Sequence, residues 1–244
     1  MALSSAAPIL IATRPEPDNA RLAAAAEARG WRVVRAPLMS IAPLDADARL
    51  DPGEALAFTS ANGVRAFAAA NPERNADVWC VGEQSAAVAR DLGFRTVTAA
   101  GGDVASLAAA IAARPPGALL HAGGADRAGD LVAALEAKGV AARRIDLYKA
   151  RAAEDLPEEA LAAIDDARSG AAVWVALFSP RTARIFERLA PQAALTSLRC
   201  ACLSAGVRDA LADPNAWRRV AIAPEPRLEA LIDAATREMG RSAL

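Results

Sequence analysis

The residues best suited to chemistry in this chain are small hydroxyl side chains at the ends of short apolar runs. Thr13, followed by Arg14, closes "PILIAT", Thr59 and Ser60 close "ALAFTS", Ser179 closes "AVWVALFS" and Ser204 closes "RCACLS". Ser85 follows Gly82 at the start of a helical stretch. In doubly wound sheets the binding crevice lies outside the carboxyl ends of the strands. Helix N-termini at that edge present unpaired N–H groups and partial positive charge, which suit carboxylates or phosphates. Taken singly, each Ser or Thr reads as a helix N-cap. Several such ends facing one cleft read as an anion site.

Other chemistries lack their signatures. No GxGxxG follows a strand, and no GxxxxGK[ST] occurs, so neither a dinucleotide site nor a P-loop is expected. His121 is the only histidine, which excludes a multi-histidine metal site. No GxSxG elbow supplies a serine for a triad built on it, so His121 reads as structural. Cys80, Cys200 and Cys202 lie in apolar runs without CxxC spacing, as expected of buried, reduced thiols in a cytosolic protein.

The elements that position these residues alternate. Apolar runs at 8–13, 31–37, 55–60, 78–82, 118–123, 143–148, 172–179, 199–204 and 219–223 read as strands, with helices between most of them. Asp18 opens a helical stretch that ends at Gly30, an N-terminal and C-terminal signal in order. Continuous rather than alternating apolar strands argue for sheets covered on both faces. Strand–helix alternation argues for parallel, doubly wound sheets. The fold class is therefore α/β.

A weak repeat runs through the chain. "LAAAAEARG" matches "LVAALEAKG" at an offset of 109, and "FTSANGVRAF" resembles "LFSPRTARIF" at 119. "CVGEQSAAV" lies opposite "CLSAGVRDA" at 122, and "LAAAI" opposite "LEALI" at 121. The order is the same in both halves, which favours two similar α/β units. Proline-bearing stretches at 36–47 and 145–157 are candidate linkers, extended enough to pair as a two-stranded hinge.

The chain has 244 residues, with 28 Lys+Arg against 29 Asp+Glu and a formal net charge of −1. That balance argues against a polybasic nucleic-acid arm and an acidic tail. Aromatics are only 4%, so the core must come from Leu, Val, Ile and close-packed Ala. No basic stretch precedes the first apolar residues and no apolar run reaches a membrane span, so a cytoplasmic protein is expected.

In sequence order, "LIATRP", "ARGWRVVRAPLMSIAPLD", "FTSANGVRAF", "CVGEQSAAVARDLG", "AGGADRAGDLVAALEAKGVAARRIDLYKA" and "LFSPRTARIF" resemble the motifs of uroporphyrinogen-III synthases over about residues 8–235. The resemblance implies two doubly wound, flavodoxin-like domains joined by a two-stranded linker. One would take 1–37 plus 152–244 and the other 45–145, with linkers at 38–44 and 146–151. It implies that linear hydroxymethylbilane loses water and closes to uroporphyrinogen III with its last ring inverted, without cofactor or metal. A monomer is expected, with transient contact to hydroxymethylbilane synthase at most.

The resemblance also assigns residues. Tyr148, the only tyrosine, would assist departure of the hydroxyl. Ser60, Ser85 and Ser179 match cleft-lining hydroxyl positions that would bind substrate carboxylates, with Arg14 and Asn62 as added donors. Gly82 and Gly123 would let backbone approach the ligand. Arg127 reads as a carboxylate contact or a helix-surface ion pair. Where many members carry Gly-x-x-Thr, this chain has "LSAGV", so Ser204 or a backbone N–H would replace the threonine contact. The competing classes are a non-catalytic two-lobed binding protein for an anionic small molecule and a regulatory homologue. A receiver-like signalling domain is disfavoured because no acidic pair ends the first strand.

Overall fold

The structure, a computed structural model, describes residues 7–126 and 129–240. Strand β1 (Ile9–Ala12) leads through helix α1 (Asp18–Glu27) to β2 (Arg32–Arg35) and β3 (Met39–Pro43). Then follow β4 (Glu54–Phe58), α2 (Ala61–Ala70), β5 (Val78–Cys80), α3 (Glu83–Asp91), β6 (Val97–Ala99), α4 (Val104–Ala113), β7 (Ala118–Gly124), α5 (Leu131–Glu136) and β8 (Ala142–Ala152). The last stretch carries α6 (Glu158–Arg168), β9 (Val173–Leu177), α7 (Pro180–Leu189), β10 (Arg199–Cys202), α8 (Ala205–Arg208), β11 (Arg219–Ile222) and α9 (Leu228–Gly240).

Contacts divide the chain into two compact units. The first is Met1–Ser40 with Arg151–Leu244, and the second is Ile41–Ala150. Both chain passages between them run through strands β3 and β8, which are neighbours in one sheet. Leu44 N donates to Leu147 O at 2.9 Å and Ala153 N to Leu38 O at 2.9 Å, the opposed numbering of an antiparallel pair.

The first unit holds a parallel sheet ordered β11-β10-β9-β1-β2. This is the flavodoxin order, and it reverses between β1 and β9. The second unit orders β3-β8-β7-β4-β5-β6, so its parallel strands run 3-2-1-4-5 from β6 to β8 and reverse between β4 and β7. Apolar clusters cover both faces of each sheet. That burial is why β1, β4 and β9 are apolar throughout rather than alternating, with Glu54 the one charged exception. Two strands escape the sequence reading. Val97–Ala99 is three residues of half-buried edge, and Met39–Pro43 looks from sequence like a linker because Pro43 ends it.

The repeated blocks occupy the same positions in both units. Ser60 caps α2 with φ −159° and ψ 155°, and Ser179 caps α7 with φ −154° and ψ 158°. Gly30 and Gly139 end their helices at φ 81° and 75°, the left-handed conformation that glycine adopts without strain. No helix among the described residues is long and apolar enough to cross a membrane.

Gly63 has a different reason to be glycine. A Cβ there would sit 2.8 Å from the Ala122 carbonyl oxygen of β7, so bareness lets α2 lie directly on the strand. Gly63→Ala gains about 1 kcal/mol of helix propensity but forces a backbone shift, and overpacking of this kind costs about 1–3 kcal/mol. Net destabilisation is expected in urea melts; a more stable variant would show that α2 moves off β7 at no cost.

Candidate functional site

In each unit some of the sequence-selected residues, Ser60 after β4 and Thr13, Arg14 and Ser179 after β1 and β9, lie where the strand order reverses. That follows from topology: neighbouring strands there send their connections to opposite faces and leave a crevice at the carboxyl edge.

In the second unit, Ser60 ends the connection from β4 and caps α2, its Oγ accepting from Gly63 N at 3.1 Å. The same Oγ lies 2.9 Å from the Tyr148 phenol oxygen, joining residues 88 positions apart. The Tyr148 ring rests on Gly124: a Cβ there would fall 2.6 Å from Cε2 and 2.7 Å from Cζ. Burial pushes the phenol above its ordinary value of 10.0, while the Ser60 bond and the nearby Arg144 charge pull the other way. The group therefore holds its proton at neutral pH and is a donor.

Beneath the tyrosine lies a polar network that sequence reading did not select. Arg144 Nε donates to Asp146 Oδ1 at 2.7 Å, and its Nη1 lies 3.2 Å from His121 Nδ1. Its Nη2 donates to the Gly124 carbonyl. Guanidinium only donates, so Nδ1 accepts and the imidazole proton sits on Nε2, which faces Thr59 Oγ1 at 3.3 Å. His121 is buried at 1% exposure and bridges β4 to β8 as a structural group. The available signal was alternation: Arg144 and Asp146 share one face of β8 by the two-residue strand period, whereas the register slip after Gly123 sets Tyr148 against Gly124.

Other selected residues of this unit are dispersed. Asn62 accepts from Arg65 Nη1 at 2.9 Å through its Oδ1. Gly82 caps α3 in extended backbone, and a Cβ there would meet only Gly102 Cα at 3.6 Å, so the fold leaves space beside it. Ser85 is buried at 5% exposure, turned into the α3 packing rather than outward. Gly123 is buried next to His121 Nε2 and Arg144 Nη2, 3.3 and 3.4 Å from where its Cβ would be. Arg127 lies outside the described residues.

In the first unit, Thr13 is fully buried and donates to the Ala176 carbonyl, tying β1 to β9 at the reversal. Arg14 pairs with Asp18 Oδ2 at 2.7 Å and lies 5.0 Å over the Phe178 ring. Asn19, another residue not selected from sequence, fixes the turn after β1 by donating to Ala12 O at 2.9 Å and Arg14 O at 2.7 Å. Ser179 shares a capping box with Thr182, donors and acceptors reciprocally paired. Ser204 caps α8 without a side-chain bond to it.

The cysteines take no part. Burial pushes the Cys80 thiol up to about 12, and burial together with the Cys202 thiol 3.2 Å away raises Cys200 well above its ordinary value. A cavity of about 860 Å³ opens at the other end of the second unit's sheet, between Asp51, Glu54, Asn71 and Glu73. Its buried carboxylate, Glu54, is held by the Arg143 fork at 2.8 and 2.6 Å, and nothing nucleophilic faces it. Among the described residues no group of three or more His, Cys, Asp or Glu is arranged to hold a metal ion.

The family model described as uroporphyrinogen-III synthase HemD matches residues 20–233. Two solved structures are similar in fold. Uroporphyrinogen-III synthetase from Helicobacter pylori matches at 16% identity and TM-score 0.60, over 96% of this chain and 100% of that one. A mutant uroporphyrinogen III synthase from the extremely thermophilic bacterium Thermus thermophilus matches at 16% identity and TM-score 0.54, over 97% and 100%. No curated protein sequence matches the chain.

Proposed function

The chain belongs to the uroporphyrinogen-III synthase family, and on that premise we propose that its Tyr148 phenol is the acid that releases the leaving hydroxyl in the family's ring closure. The reaction is the conversion of hydroxymethylbilane to uroporphyrinogen III with loss of water and inversion of the last ring. The phenol gives its proton as the carbon–oxygen bond breaks, and the hydroxyl departs as water. The electron-rich pyrrole carries the resulting positive charge. The freed methylene carbon bonds the substituted carbon of the last pyrrole. The bond from that carbon to its old bridging methylene breaks and re-forms at the ring's free α carbon with the ring turned over, and that free α carbon's proton goes to the phenolate. Net, one water is lost, which makes the enzyme a hydro-lyase.

The observation that carries this reading is the 2.9 Å contact between Tyr148 Oη and Ser60 Oγ. Ser60 is itself anchored on Gly63 N. In this reading the Ser60 hydroxyl donates to Tyr148 Oη, which holds the phenol oxygen in place and leaves its proton for the substrate. Asn62 and Gly82, and in the other unit Arg14, Ser179 and Ser204, are the proposed carboxylate contacts. A protein of net charge −1 cannot gather a polyanion by overall attraction, so local donors must do it. Selectivity against spontaneous closure is undemanding: a hundredfold preference corresponds to about 2.7 kcal/mol of differential transition-state binding.

A rate–pH profile tests the acid. Burial holds the phenol proton to higher pH than an ordinary tyrosine. The active form is the protonated one, so kcat should stay flat through the range below 10 and fall only above it. A tyrosine-dependent fall near neutral pH would contradict the assignment.

A further inference from the structure

Strand β8 pairs with β7 in a regular register, His121 with Arg144, Ala122 with Ile145 and Gly123 with Asp146. The register then slips by one residue, so Gly124 faces Tyr148 instead of Leu147. This irregularity seats the phenol over the end of β7. It also isolates one peptide unit, Gly124–Ala125. The N–H of that unit donates to Tyr148 O at 2.8 Å, and its carbonyl accepts from Arg144 Nη2.

We propose that Arg144 is a positioning residue for the reaction, locking the slipped Gly124–Ala125 peptide so that the Tyr148 ring keeps its seat and its Ser60 hydrogen bond. The guanidinium side chain is only 13% exposed and is itself oriented on two further sides, by Asp146 and by His121. A planar fork with donors in several directions meets all three acceptors at once; a lysine ammonium on a flexible stem supplies the charge without that geometry. The proposal rests on the acid role given to Tyr148, and its test separates the two.

Tyr148 is the only tyrosine in the chain, so ultraviolet titration of tyrosinate reports on this ring alone. The groups acting on the phenol are Ser60, Arg144, Asp126 and Asp146. Arg144→Gln removes a neighbouring positive charge, so its tyrosinate midpoint should rise by roughly half a pH unit. Arg144→Lys should stay closer to the parent. Both variants should lose about tenfold in kcat, with KM within about twofold, because geometry rather than binding is disturbed. Asp146→Asn loosens the guanidinium and also removes a negative charge that raises the phenol, so kcat should fall by less while the tyrosinate midpoint moves down rather than up, and far-UV circular dichroism checks that each variant folds. An unchanged midpoint in folded Arg144→Gln overturns the proposal. So does an effect confined to KM, which would make Arg144 a substrate contact, or full activity in Arg144→Lys. Should Tyr148→Phe prove fully active, the acid role falls, whereas an unchanged midpoint in folded Arg144→Gln shows that Arg144 does not act on the ring.

Discussion

Tyr148→Phe is expected to lower kcat by about a hundredfold, the low end of what a positioned acid contributes. Removing one oxygen leaves the ring on Gly124 and the surrounding packing unchanged, so KM and thermal stability should move little. Ser60 Oγ loses one partner but still accepts from Gly63 N. With enzymatic closure slowed, spontaneous closure competes, and the type I share of the product should rise. Isomer analysis of the quenched, oxidised products reads both effects. Full turnover with an unchanged isomer ratio would remove the phenol from the chemistry.

The second large effect is expected at Gly124, which sequence reading passed over in favour of its neighbour Gly123. A methyl group at Gly124 would lie 2.6–3.0 Å from Tyr148 Cε2, Cζ and Oη, closer than real side chains approach. One side must give way. Gly124 is buried in a strand end, and its peptide is held at both ends, so the half-buried ring is the part that moves. Displacing the phenol by about 1 Å costs on the order of a hundredfold in rate. Gly124→Ala should therefore resemble Tyr148→Phe in kcat while keeping its single phenol, and its tyrosinate midpoint should differ from the parent. Gly123→Ala meets His121 and Arg144 only at 3.3–3.4 Å and should be milder. Equal, small effects at both glycines would contradict the seat.

The alternation of apolar strands and helices was legible because both sheets are covered on both faces, which leaves β1, β4 and β9 no polar face to show. The paired helix caps at Ser60 and Ser179 were legible as a repeat. Strand order was not. Nothing local in the apolar runs marks the reversals between β1 and β9 and between β4 and β7, which arise where neighbouring strands send their connections to opposite faces of the sheet.

The candidate site was legible residue by residue, not as contacts. Ser60 and Tyr148 entered separately, and 88 residues of chain separate the two partners of one hydrogen bond. Arg144 and Asp146 stayed hidden because charged residues within an apolar strand look like an exposed face, whereas here they satisfy one another and His121. Ser85 shows the converse. It stands at a motif position, yet helix packing covers it.

The most direct test is to mix the purified protein with freshly generated hydroxymethylbilane and to separate the product isomers against an enzyme-free blank. The account predicts uroporphyrinogen III as the dominant isomer, formed faster than the blank closes. A product that is mainly type I, at the rate of the blank, would contradict it.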